Sequence, residues 1–216
     1  MGRRVGADTN KVLLPLAGTP VLAWSLRWVE RLEYVDQVVV VIRERDRDDI
    51  ELSLTGCRLD VAVVTGGSTR HGSEWNALQA IAGQIDAAEI DVVAIHDGAR
   101  PLAGTDLFRQ VIDTAAEHGG ALPVREQTAL IGRDPSATAD NHNGLVAVQT
   151  PQAFRARPLL DAYRQAERDG FVGTDTASCV ERYTELEIRC VPCAATNPKI
   201  TFPEDVTLAE RLLANR

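Results

Sequence analysis

The sequence predicts an α/β fold, a mostly parallel sheet with helices on both faces. Three observations predict it. Apolar, β-branched runs alternate with amphipathic stretches of helical length along most of the chain. Those runs are apolar throughout rather than at every second position, as in strands covered on both faces. Helix-starting and helix-stopping residues mark the gaps between them.

The elements follow in order. Thr19 caps a helix with Pro20 at its first position, and Trp24, Trp28 and Leu32 lie along one face. "QVVVVI" (Gln37–Ile42), "DVAVV" (Asp60–Val64) and "DVVAI" (Asp91–Ile95) read as buried strands. Helices fill 46–54, 72–82 and 105–117, the last ended by Gly119 and Gly120. From Ala121 the rhythm changes to short apolar pieces and turn residues, which predicts an irregular β arm over 121–152. Helices at 157–168 and 174–183 come next, then a strand at 186–191. "NPKITF" reads as a further strand on which Lys199 would point inward; an exposed lysine beside a turn is the plainer reading. The last helix starts at Pro203, with Glu204 and Asp205 favouring its positive N-terminus.

Composition bounds the function. The chain has 216 residues, 44% hydrophobic and 25% charged, which suits one domain over 1–216. No apolar run approaches the roughly 18 residues of a membrane span, and no secretory signal is present. Four cysteines without framework spacing point to a reducing cytoplasm. A net charge of −8 argues against a general nucleic-acid binder. Lys11 and Lys199 are the only lysines, against 21 arginines. Two readings stand: chance in a lysine-poor chain, or two sites that want a compact point charge rather than a planar fork.

Ligands of open parallel sheets bind beyond the carboxyl ends of the strands. Three segments lie there. "TGGSTRHGS" (Thr65–Ser73) joins a strand to a helix. Gly66 and Gly67 let backbone approach a ligand, and the free N–H groups favour anions or base-edge acceptors. Ser73 with His71 suggests no hydrolase, since the G-x-S-x-G elbow is absent. "HDGARP" places Asp97 to hold hydroxyls, and Arg100 to hold a phosphate or to orient Asp97; a loop-stabilising salt bridge is the plainer reading. "NPKITFPED" offers Lys199. Cys190 and Cys193 form a C-x-x-C that opens no helix and has no second pair, so they read as ordinary small residues. His118 and His142 read as surface residues, and no metal site is evident.

The segments, in this order, resemble the cytidylyltransferases of 2-C-methyl-D-erythritol 4-phosphate in the non-mevalonate isoprenoid pathway. "GRRVGADTNKVLLPLAGTPVLAWSL" resembles the end of their G-x-G-x-R-M…P-K loop and the helix after it, and "GGSTRHGS" their cytosine-binding turn. "HDGARP" resembles H-D-A-A-R-P, "VQTPQAF" Q-T-P-Q-x-F, "GTDTAS" T-D-(D/E)-A-S, and "NPKITFPED" N-I-K-V-T-x-P-E-D. The resemblance implies a modified Rossmann-like nucleotidyltransferase domain and a homodimer clasped by the β arm. It implies transfer of CMP from CTP to the alcohol phosphate, with Mg²⁺ bound mainly through the CTP phosphates. Arg4, Lys11 and Lys199 would be catalytic, with Gly2 beside them in the nucleotide loop. Gly66, Gly67, Ser68 and Ser73 would line the nucleotide. Asp97 would hold ribose and acceptor groups, and Arg100, Thr150 and Thr174 would face the acceptor. No nucleic acid or membrane partner is implied.

Three departures qualify the match. The chain as given starts inside the phosphate loop, which predicts a missing central strand. Asn10 replaces the proline before the loop lysine, which predicts a looser loop. "DNHNGLVAV" offers His142 where the arm's phosphate-binding arginine is expected, with Arg125 and Arg133 as possible substitutes. Two alternatives therefore stay open: a sister enzyme for another acceptor such as ribitol 5-phosphate, or a nucleotide-binding paralogue without turnover.

Overall fold

The computed structural model describes residues 10–35, 37–126, 146–193 and 197–215. Gly2, Arg4, Arg133 and His142 lie outside these residues, as does 127–145 of the expected arm.

A 3₁₀ turn (Lys11–Leu13) leads into a hairpin of β1 (Pro15–Leu16) and β2 (Thr19–Pro20). Ala17 and Gly18 close it with φ of 47° and 75°. Helix α1 then runs Val21–Val29 with Pro20 before it. The expected Thr19 cap is thus corrected: a residue before proline is driven to extended backbone, and here it pairs with Leu16. β3 (Gln37–Ile42) pairs in parallel with β4 (Asp60–Thr65), and α2 (Arg47–Ser53) crosses between them. α3 (Arg70–Ala80) follows β4, and the short α4 (Ala82–Asp86) leads to β5 (Val92–Ile95).

α5 (Thr105–His118) ends at Gly119, which at φ 118° turns the chain directly into β6 (Gly119–Glu126). The described start of the expected arm is therefore the end of a sheet strand. β9 (Glu187–Pro192) lies parallel along one edge of β6. Along the other run β7 (Val146–Val148) and β8 (Gln152–Arg155), both antiparallel to β6. β5 pairs antiparallel with β8. The sheet is thus more mixed than expected. Between the pairs Ala121↔Ala153 and Val124↔Val148, the β7–β8 edge holds more residues than β6 does. Gln149 N–H still donates to Pro123 O at 2.8 Å, so the surplus, Thr150–Pro151, is pushed out of the ladder as a bulge toward the end of β5.

Adjacent residues of β8 feed opposite layers. Phe154 packs with Leu159, Leu160 and Tyr163 of α6 (Ala156–Asp169) and Val180 of α7 (Thr176–Tyr183). Ala153 packs with Phe108, Val111 and Ala115 of α5. The i, i+3, i+4 spacing on α6 drives this, each buried leucine contributing about 1.5–3 kcal/mol. α8 (Pro203–Ala214) closes a third cluster with Leu16, Val21 and Leu102.

Two further expectations change. β3, β4 and β5 are mostly half-buried rather than covered on both faces, with Val40 and Ile42 the buried exceptions. Among the described residues the β3–β4 pair shares no ladder with the five-stranded sheet, which leaves strand edges open. The "NPKITF" segment forms no strand; it is extended, and Ile200 N–H donates to Ala99 O at 2.8 Å.

Candidate active site

The turn after β4 is built by local bonds. Thr69 caps α3, its hydroxyl accepting from Gly72 N–H at 2.9 Å. The Ser73 hydroxyl donates to Thr69 O at 2.8 Å and accepts from Gly67 N–H at 3.1 Å. Glycine is required at both positions before Ser68. A Cβ on Gly66 would stand 2.8 Å from Ser73 Oγ, and one on Gly67 2.8 Å from the backbone of Gly72. The result is a tight loop with exposed backbone at Gly67 and Ser68, above a helix N-terminus.

The loop after β5 is built differently. His96 Nε2 faces Arg100 O at 3.1 Å, and its Nδ1 faces the Thr150 hydroxyl at 3.2 Å. A carbonyl only accepts, so Nε2 carries the hydrogen and Nδ1 accepts from Thr150. Thr150 Oγ in turn accepts from Asp97 N–H at 3.0 Å. The ring packs against Phe108, and burial pushes its pKa down to about 4. This chain of bonds makes His96 a brace for the loop. Thr150 is buried behind Asp97 with its hydroxyl committed to the loop.

Asp97 is the centre. Its carboxylate receives Lys199 Nζ at 2.7 Å, with Arg100 at 3.6 Å and Arg70 at 3.8 Å. Burial alone would raise its pKa; Lys199 above all, then Arg70 and Arg100, hold it below the usual value. Arg100 also donates to Asn197 O at 2.9 Å. Asn197 is itself buried, and its amide donates to Gln149 Oε1 and Thr150 O. Lys11 joins the cluster: burial first, then the charge of Lys199, lowers its pKa.

Asn10, before Lys11, is tied on two sides. Asn10 Oδ1 accepts from Val12 N–H, and its amide donates to the buried Asp46 at 2.9 Å. The cap and the tie restrain Asn10 itself; the rest of the loop, 1–9, lies outside the described residues. Thr174 is exposed and does not cap α7; Asp175 does, accepting from Ser178 N–H at 2.9 Å. A carboxylate outcompetes the hydroxyl one position earlier.

Lys11, Lys199, Asp97 and Arg100 are thus brought together, with Thr150 behind them. Gly66, Gly67, Ser68 and Ser73 form the adjacent turn, which Arg70 links to Asp97. Thr174 stands at the head of α7. Sequence reasoning missed Arg70 and Asn197. Arg70 carried a faint signal, as a cation in the first turn after a glycine pair. The C-x-x-C spans β9 and its end, and Cys57, Cys179 and Cys190 are free thiols.

The chain matches the family model described as 2-C-methyl-D-erythritol 4-phosphate cytidylyltransferase over residues 1–215. A protein of that name from Bacillus cytotoxicus is 35% identical over 98% of this chain and 93% of its own. One from Symbiobacterium thermophilum is 39% identical over 98% and 88%. Among solved structures, the 4-diphosphocytidyl-2C-methyl-D-erythritol synthase of Anaerococcus prevotii superposes with a TM-score of 0.82 at 26% identity, covering 97% of this chain and 93% of its own. The 2-C-methyl-D-erythritol 4-phosphate cytidylyltransferase of Thermus thermophilus gives 0.72 at 28% identity, covering 97% and 96%.

Proposed function

The chain belongs to the 2-C-methyl-D-erythritol 4-phosphate cytidylyltransferase family, and from that premise we propose how its residues perform the reaction. CTP and 2-C-methyl-D-erythritol 4-phosphate give 4-diphosphocytidyl-2-C-methyl-D-erythritol and pyrophosphate. An oxygen of the acceptor's phosphate attacks the α-phosphorus in line. The new P–O bond forms as the bond to the β-phosphate oxygen breaks. No covalent enzyme intermediate is needed, so catalysis is positioning and charge stabilisation.

One observation carries this reading: a cluster of Lys11, Lys199, Arg70 and Arg100 around Asp97, in a chain whose net charge is −8. Such a cluster suits two polyanions that must be joined against their mutual repulsion. Lys11 and Lys199 stabilise charge on the phosphates, and Arg4 joins them from the start of the chain. Gly2 belongs to the same nucleotide loop. Gly66, Gly67, Ser68 and Ser73 line the base. Asp97 holds hydroxyls, and Arg100 the acceptor side. Thr150 supports Asp97 from behind, and Thr174 faces the acceptor at the head of α7.

Mg²⁺ fits as an ion carried on the triphosphate oxygens. The central carboxylate is already matched by Lys199, and no group of three acidic, His or Cys side chains stands together among the described residues. The ion would neutralise charge on the leaving pyrophosphate. Val146 and Val148, exposed on β7 near the end of the expected arm, support pairing into a homodimer. Among the described residues no helix is long and apolar enough to cross a membrane. We place the enzyme in the cytoplasm on its four cysteines without framework spacing.

The test is Mg²⁺-dependent pyrophosphate release from CTP, with methylerythritol phosphate and ribitol 5-phosphate side by side. Release with the first substrate is expected. Release with ribitol phosphate alone would move the enzyme to the sister reaction. No release with either, from folded protein, would leave a nucleotide-binding paralogue.

A further inference from the structure

Beneath the cluster lies a buried carboxylate that the reaction does not use. Glu74 is on α3, 7% exposed. Three side chains converge on it. Tyr163 of α6 donates its hydroxyl to Oε2. Thr176 of α7 donates to Oε1 at 3.1 Å. Arg70, one turn back on α3, places Nε 3.0 Å from the same Oε1. Burial raises the Glu74 pKa, and Arg70, Tyr163 and Thr176 oppose that rise. Two neutral donors from the core and one cation from the surface leave the carboxylate few free lone pairs.

The arrangement is directional. Tyr163 and Thr176 are fully buried, so the core end of Glu74 is fixed. Arg70 is partly exposed, with a side-chain accessibility of 37%. Alone it would sample many rotamers at the rim of the site. Instead Nε is tied to Glu74 while NH2 of the same planar fork reaches Asp97 at 3.8 Å. A guanidinium does this from two nitrogens of one rigid plane; a lysine would have to meet both carboxylates at a single nitrogen.

We propose that Glu74 is a positioning residue: it holds Arg70 against Asp97, and so transmits the packing of α6 and α7 to the charge cluster. The proposal rests on the cytidylyltransferase reading and adds to it a residue that touches no substrate. It acts on the charge cluster and not on the closure of the turn. The Gly66–Ser73 turn closes through Ser73 and Thr69 and does not involve the Glu74 carboxylate. Loss of Glu74 should therefore disturb turnover and leave recognition of the base intact.

The experiment is a double-mutant cycle in kcat and KM with Glu74→Gln, Arg70→Ala and the pair, alongside the active wild type. Glu74→Gln is expected to lower kcat about 10- to 100-fold with KM for CTP within about twofold. In the Arg70→Ala background the same change is expected to cost almost nothing further, because its effect runs through Arg70. Losses that multiply in an active enzyme overturn the proposal and leave the reaction standing. So does a rise in KM for CTP that matches the fall in kcat, which would make Glu74 a support for the turn. If Glu74→Gln does not fold, Arg70→Lys decides. It keeps the charge, removes the two-ended bridge, and alters only a rim residue. A tenfold loss supports the proposal; wild-type turnover ends it.

Discussion

The turn after β4 and the loop after β5 sit side by side, yet they are held in different ways. The Gly66–Ser73 turn closes on itself. Its bonds join residues three to six apart in the chain; Gly67 is demanded by the backbone of Gly72, and Gly66 by the Ser73 hydroxyl. The His96–Pro101 loop is held from far away. Thr150 is 53 residues from Asp97, Asn197 is 97 from Arg100, and Lys199 is 102 from Asp97. The difference follows from what each presents. Backbone donors can be aimed by a local turn. A cluster of like charges must be scaffolded from several elements, because the charges repel and their side chains are long. The turn should therefore govern binding of the base, and the loop should govern turnover and stability.

Removing a charge from the scaffolded loop gives the largest expected effect. Lys199→Ala should lower kcat by about 10²–10³-fold, the loss found when one preorganised stabilising group is removed. The Lys199–Asp97 pair is partly exposed, so stability should change by no more than about 1 kcal/mol. Pyrophosphate release and thermal unfolding of the same preparation check both. A variant that loses its fold along with its activity would reduce Lys199 to a structural salt bridge.

The second effect concerns pH. His96 titrates at about 4 in the folded chain and near 6.5 when unfolded. Folding thus favours the neutral ring. The stabilisation is complete above pH 6.5 and is lost as pH falls from 6.5 toward 4, where the unfolded chain binds the extra proton. The full loss is about 3 kcal/mol, roughly 2 of it by pH 5. His71, also buried with a lowered pKa, acts in the same direction. Urea midpoints at pH 7 and pH 5 for wild type and His96→Gln should show a shallower slope in the variant. Parallel slopes would mean that His96 is not the group being titrated.

Thr150→Val tests the same scaffold without a charge. It keeps the shape and leaves Asp97 N–H and His96 Nδ1 unpaired inside the fold. A loss of about 1–3 kcal/mol is expected, seen as a fall of several degrees in Tm. An unchanged Tm would mean that the bulge at Thr150–Pro151 holds the loop without this hydroxyl.

The same contrast explains what could be read from the chain. Gly66, Gly67 and Ser73 were legible because their geometry is encoded within a few residues. Asp97 and Lys199 were legible as chemistry at strand ends, but their contact was not. Arg70 was missed because "STRHGS" reads as a turn, and only the fold shows its guanidinium crossing to another strand end. Glu74 left no trace: "SEWNAL" is an ordinary stretch of helix, and the partners that bury its carboxylate lie on α6 and α7. Thr176 stands where the resembling motif has an acid, and here the carboxylate beside it comes from α3. The antiparallel insertion of β8 was hidden for a related reason. An apolar strand does not announce its direction, and the bulge that aims Thr150 depends on a register set by β6.

The smallest effect is the sharpest test of the contrast. Ser73→Ala removes one hydroxyl, as Thr150→Val does, but from the local turn. Its bonds lie near solvent, so water can replace them, and stability should fall by no more than about 1 kcal/mol. Gly67 N–H then loses its tether, and the backbone that faces the base is free to move. KM for CTP should rise about three- to tenfold, which is some 0.7–1.4 kcal/mol of binding, with kcat unchanged. Steady-state kinetics at saturating acceptor decide it. A fall in kcat with KM unmoved would mean that the turn and the loop act as one unit, and the division of labour between them would have to be abandoned.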